Sequence, residues 1–247
     1  MENLDEFRPV PFYYLNTTER SELTRKAALA GMTRLKSAGY GGCVLFNKPP
    51  TGFDPDRYLS GEWFETVENF LQAARRLNLK IWINDGWDYP PGDAGNRIAA
   101  IRPDLKQHRL VKNADGKVEI REVEWGFPAF EEPESSRLFI RFVYEEYRKR
   151  LGSYFNDPLV GFFSDADNRR SASYTLKELD GKAFFPWTLS FPSLFREQYG
   201  YEVEPHLPEI LDGGHCEAAA DYWRLCSELY QNWFRNNYEW CRNPGLK

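Results

Sequence analysis

Four kinds of signal are missing from this chain of 247 residues, and each absence removes a class of function. There is no basic excess. Lys and Arg number 32 against 37 Asp and Glu, for a net charge of -5, where a nucleic-acid binder needs a basic face. No apolar run approaches the roughly 20 residues that span a bilayer. The four cysteines (Cys43, Cys216, Cys226, Cys241) form no CxxC pair, and the three His are scattered, so no zinc site is expected. No GxGxxG follows the first strand and no Ser nucleophile elbow is present, which removes the usual nucleotide and serine-hydrolase signatures. No cofactor is expected. The opening "MENLDEFRPV" is acidic and lacks an apolar h-region, so the expected location is cytoplasmic; secretion would require a leader already removed.

What is present is an ordinary globular balance, 42% hydrophobic and 28% charged, with an excess of rings. Eight Trp, 14 Tyr and 18 Phe imply a large aromatic core, and the cysteines read as small buried hydrophobes.

Strand and helix patterns alternate along the chain. "VPFYYLN" (Val10 to Asn16) is an extended aromatic run, and Thr17 or Thr18 is placed to cap the helix after it, with Ala28, Met32 and Leu35 on its apolar stripe. "GGCVLFN" (Gly41 to Asn47) is a second strand. A helix from about Gly61 to Leu77 carries Trp63, Val67, Phe70, Leu71, Ala74 and Leu77 on one face. A third strand, Lys80 to Ile83, runs into "NDGWDYPPGDAGN". A hairpin insertion at about 108–125 turns at Asp115-Gly116. A helix from about Ser136 to Leu151 leads to a fourth strand, "LVGFFSDADN". After a long loop a helix runs from about Ala218 to Trp240.

Continuous apolar strands alternating with helices predict a parallel sheet covered by helices, an α/β fold. The four strands end in Asn16, Asn47, Asn84-Asp85 and Ser164-Asp165. Polar groups at the C-terminal ends of successive strands fit a (β/α)8 TIM barrel, whose active site is built there. The count gives about four of eight units, so residues 1–247 read as a single partial barrel domain. A doubly wound sheet is the structural alternative. Four strands leave two open edges, so a chain of this extent is expected to associate with itself, or to need the missing half of the barrel.

Several stretches together resemble bacterial glycoside hydrolases of the alpha-L-rhamnosidase type and related glycosyl hydrolases. They are "LKSAGYGGCVLF", "YLSGEWFETVENFLQAARRLNLKIW", the "YPPGDAGN" loop, "GFFSDADN" and the segment from "PWTLSFPSLFREQYGYEVEPHLPEIL" to "DYWRLCSELYQNWFRNNYEWCRNPGLK". The resemblance covers roughly residues 10 to 247 apart from the hairpin. It implies a barrel that acts on glycosides through carboxylates at its strand ends. The sequence departs from it at two places: Asp85-Gly86 stands where relatives tend to have Asp-Glu, and Asp165-Ala166-Asp167 where they have Asp-Glu-Pro.

Glycoside hydrolysis needs two carboxyl groups across the scissile bond, one of them protonated near neutral pH. Asp165, Asp167 and Asp85 are the catalytic candidates; alternatively Asp165 and Asp167 cap a loop or pair with Arg169 and Arg170. Sugars stack on rings and bond to amides and carboxylates. That chemistry selects Asn16, Asn47, Asn84, Trp87, Asp88, Tyr89 and Asn168 as substrate-binding candidates, with packing and strand-end capping as the competing roles. "DADN" opens like a calcium loop but lacks the Gly and Glu that complete one, so no metal is expected. The expected function is a hydrolase of glycosidic bonds with an oligosaccharide or glycoside substrate. A non-catalytic sugar-binding remnant is the alternative.

Overall fold

A computed structural model describes residues 7–17, 19–48, 52–87, 92–123, 127–165 and 185–247. Their contacts divide the chain into two compact units. The first comprises Met1–Gly95, Ile140–Ala166 and Tyr238–Lys247, and the second Asn96–Phe139 and Asp167–Asn237.

The first unit holds β1 (Phe12–Leu15), α1 (Arg25–Ser37), β2 (Gly42–Asn47), α2 (Gly61–Arg76), β3 (Lys80–Asn84) and β6 (Leu159–Phe163). Its sheet has the order β1-β2-β3-β6, and every pairing is parallel. The architecture is therefore α/β around a four-stranded parallel sheet. The helix after β1 starts later than Thr17 or Thr18 would set it. Thr24 caps α1, accepting from the Ala27 amide at 3.3 Å. Ser60 caps α2 in the same way through the Trp63 amide, satisfying a donor that the first helical turn leaves unpaired.

Strand register assigns the side chains to faces. Phe12, Tyr14, Val44, Phe46, Trp82, Asn84 and Phe163 share one face, and Tyr13, Leu15, Cys43, Leu45, Ile81 and Ile83 the other. The second face packs under helices: Tyr13 meets Phe70 of α2 with ring centroids 5.2 Å apart. On the first face Phe12 contacts Tyr14, Phe46 and Phe163 ring to ring, yet Phe12 and Tyr14 stay 45% and 48% exposed. This aromatic face is the partly open side of the sheet.

The free side of β6 is not bare. The Lys247 amide donates to the Val160 carbonyl at 2.8 Å, and the Phe162 amide donates to the Lys247 carbonyl at 3.1 Å. These are the two bonds of a parallel bridge opposite Gly161. A side chain at Gly161 would collide with the Lys247 carbonyl, so glycine is what lets that backbone approach. Gly42 plays a similar part between β2 and β3, where a Cβ would overlap the Lys80 carbonyl. Gly42→Ala is expected to cost about 3 kcal/mol, the upper range for overpacking against backbone that has little room to move. Chemical denaturation checks it; a midpoint equal to that of the unaltered chain would show that the two strands part freely.

Between Pro133 and Leu151 one helical stretch has three parts: α4 (Pro133–Phe139), a π-helical turn (Ile140–Tyr144) and α5 (Glu145–Leu151). The remaining elements belong to the second unit, apart from the last residues of its long helix. They are α3 (Arg97–Ile101), β4 (His108–Lys112), β5 (Val118–Glu122), β7 (Phe185–Trp187), α6 (Phe191–Tyr199), α7 (Leu207–Leu211) and α8 (Glu217–Arg242). The hairpin turns where the sequence places it, with Gly116 at φ +83° and its amide bonded to the Asn113 carbonyl. Strands β5, β4 and β7 form an antiparallel sheet. A core of Leu110, Trp187, Phe191, Phe195, Tyr222 and Leu225 packs within this unit. No helix among the described residues is long and apolar enough to cross a membrane.

Candidate carboxylate site at the strand ends

The C-terminal ends of β2, β3 and β6 carry Asn47, Asn84, Asp85 and Asp165 within the first unit. Asp85 continues the ladder one step past β3, its amide donating to the Phe163 carbonyl at 3.2 Å. Alternation turns its side chain away from Asn84, onto the helix-covered face. There its Oδ2 accepts the Tyr144 hydroxyl at 2.7 Å. Tyr144 comes from the π-helical turn and stacks on Phe162 at 4.6 Å. The Asp85 carbonyl accepts the Tyr58 hydroxyl at 3.0 Å. The indole of Trp63 donates to Tyr147 at 2.8 Å, completing a shell of rings with hydroxyls.

Asp85 is wholly buried, and its Oδ1 receives no hydrogen bond of standard geometry. Burial therefore dominates, pushing its carboxyl up to about 7 from the usual carboxylate range. The Asp165 charge adds to the rise. The Tyr144 hydroxyl, the nearby Ser164 hydroxyl and its own amide oppose it by favouring the charged form. Burial beside this carboxyl also holds the Tyr144 phenol well above its ordinary range. Burial thus favours the protonated form of the Asp85 carboxyl, beside a neutral phenol.

Asn47 and Asn84 are buried as well. Asn47 gives its side chain to the chain itself: Nδ2 donates to the carbonyls of Phe53 (2.9 Å) and Trp87 (2.5 Å), and Oδ1 accepts the Phe53 amide (2.8 Å). The Trp87 indole donates to that same Phe53 carbonyl at 2.8 Å. These two residues hold together the loops that follow β2 and β3, with the half-buried Trp87 ring still offering apolar surface. Asn84 Oδ1 accepts the Gly86 amide at 3.2 Å, a turn-stabilising contact. Asp165 is only half-buried. Asn16 is exposed, and it lines a cavity of about 370 Å³ with Tyr14, Thr17, Glu22 and Arg34. Asp167, Asp88, Tyr89 and Asn168 lie outside the described residues.

Of the sequence candidates, then, Asn47 meets Trp87, and Asp85 senses the charge of Asp165. Asn16 lies instead in its own cavity against α1. Sequence reasoning missed Tyr58 and Tyr144, and named Ser164 only as the polar end of the fourth strand. The only available signal was a tyrosine on an apolar helical stripe, whose hydroxyl demands a partner once buried. Among the described residues no group of three His, Cys, Asp or Glu side chains could hold a metal ion. Comparisons with protein-family models and with curated proteins find no match for this chain.

Proposed function

We propose that this chain is a carbohydrate-active hydrolase domain, with the four-stranded sheet as the first half of a (β/α)8 barrel. The resemblance of its strand-end motifs to alpha-L-rhamnosidase-type enzymes supplies the reaction class. One observation carries the reading: a buried carboxyl and a half-exposed one, Asp85 and Asp165, follow adjacent parallel strands at the same edge of one sheet. Asp165, the half-buried one of the two, is the carboxyl we assign to meet a substrate. Asp85 has no exposed surface, so its role is that of a positioning residue, a proton-holding neighbour that responds to the charge on Asp165. Trp87 supplies a ring face for the sugar. The substrate is a glycoside or oligosaccharide.

A panel of aryl glycosides tests the reading. Turnover is expected, and Asp165→Asn should lower kcat by about 100-fold or more, the usual contribution of a general acid or base. Activity should fall as pH rises through about 7, and Asp85→Asn should remove that limb while leaving KM for the glycoside in place. The second reading, a sugar-binding remnant, is favoured by the internal bonding of Asn47 and the burial of Asp85. Oligosaccharide binding without turnover on any glycoside would establish it in place of the hydrolase.

A further inference from the structure

Within the second unit, α4 and α8 bury side chains whose polar atoms have no partner. Ser135 Oγ, Trp233 Nε1 and both amide atoms of Asn237 are sealed from solvent and unbonded. The three residues are 0%, 1% and 5% exposed. Trp233 and Asn237 lie one turn apart on the same face of α8. Ser135 shares its face of α4 with Phe139, whose ring meets that of Trp233 at 5.1 Å. A neighbouring pair ties the two helices together: Asn236 Nδ2 donates to Ser136 Oγ at 2.8 Å. The unbonded atoms thus belong to two helices that touch at the neighbouring residues Phe139 with Trp233 and Ser136 with Asn236. From above, the Trp233 indole is closed off by Phe130, stacked on it at 3.9 Å and 7°.

Each such group left bare in a dry contact is destabilising, and native proteins leave very few. The inventory defines what would satisfy these four. Trp233 can only donate, the Asn237 amide donates and accepts, and the Ser135 hydroxyl does either. None of them is charged, so the set suits neither a cation nor an anion. A small neutral molecule that both donates and accepts fits, and water is the smallest. We infer that the α4–α8 contact is an internal hydration site, in which one or two long-lived waters link Ser135, Trp233 and Asn237. Buried waters of this kind make about three hydrogen bonds each, which matches the groups at hand.

Cross-relaxation between water and the Trp233 indole proton tests this in the unaltered chain. A direct peak is expected, with NOE and ROE of opposite sign, as nanosecond residence requires. Ser135→Ala supplies an independent arm. If the hydroxyl binds water, removing it strips the water of a partner, and the thermal midpoint should fall by about 2–4 °C. If the hydroxyl is bare in a dry contact, alanine relieves it and the midpoint stays level or rises. No cross-relaxation peak in the unaltered chain, or a midpoint at or above the original in the variant, overturns the site.

Discussion

Replacing Asp85 with Asn is expected to stabilise the protein at pH 8 by about 3 kcal/mol and to flatten its stability between pH 4 and 7. Folded, Asp85 keeps its proton up to about pH 7, whereas an unfolded chain gives it up near pH 4. Between those values unfolding releases a proton, so stability falls as pH rises from about 4 to about 7 and is level above. Three units at 1.36 kcal/mol each make the whole loss about 4 kcal/mol. An asparagine is neutral throughout. Its carbonyl can accept the Tyr144 hydroxyl as Oδ2 does, while its new amide hydrogens need an acceptor beside Ser164, which explains a gain short of the full amount. In a chain of this size the shift in thermal midpoint at pH 8 is about 6–12 °C. Parallel stability curves for the two proteins across pH 4–8 would show that the carboxyl is already ionised in the folded state.

A carboxyl that costs the fold this much at neutral pH needs a reason to be there. Perturbed groups concentrate where chemistry is done, although structural networks also perturb them. Here the removal of the carboxyl separates the alternatives. If Asp85→Asn gains stability and also removes the fall in activity above about pH 7, the proton on this buried acid serves the reaction through Asp165. Stability gained with activity and pH profile unchanged would leave Asp85 as a packing residue of the aromatic shell.

The parallel sheet was legible because its strands are apolar on both faces. "CVLF" and "KIWI" can be satisfied only by cover on both sides, and the pairing is parallel as that pattern demands. The same property hid the orientation of the site. With Ile81, Trp82 and Ile83 all apolar, nothing in β3 tells which face receives Asn84 and which Asp85. The spacing of Phe139, Val143, Tyr147 and Leu151 held a second, unread signal. At 3.6 residues per turn, residues 12 apart diverge by about 120° around a straight helix, yet all four are buried. A recurrence of four calls for local underwinding, which the π-helical turn at Ile140–Tyr144 supplies. That turn is what delivers Tyr144 to Asp85. Elements β7, α6 and α7 stayed hidden in an apparent loop because each is short and punctuated by proline or glycine.

Trp63→Ala is expected to be the most damaging single change to the first unit, at about 3–5 kcal/mol. The ring is wholly buried and edge-packed between Phe53 and Tyr58, with centroids at 5.2 and 5.1 Å. Alanine removes that volume from beneath the loop that Asn47 and Trp87 hold, and rigid packing allows only partial collapse. It also removes the indole donor from the Tyr147 hydroxyl, leaving a buried oxygen to find another partner. Trp63→Phe separates the two terms, since it keeps most of the volume and loses only the donor. Its cost should be about 1–2 kcal/mol, so the difference between the variants measures the cavity. The loss should also reach the acid site, because Tyr58, which the indole supports, donates to the Asp85 carbonyl. Denaturant unfolding of both variants at pH 5 and pH 8 reads these effects. Equal midpoints for alanine and phenylalanine would mean that the indole hydrogen bond, and not the filled volume, holds this core together.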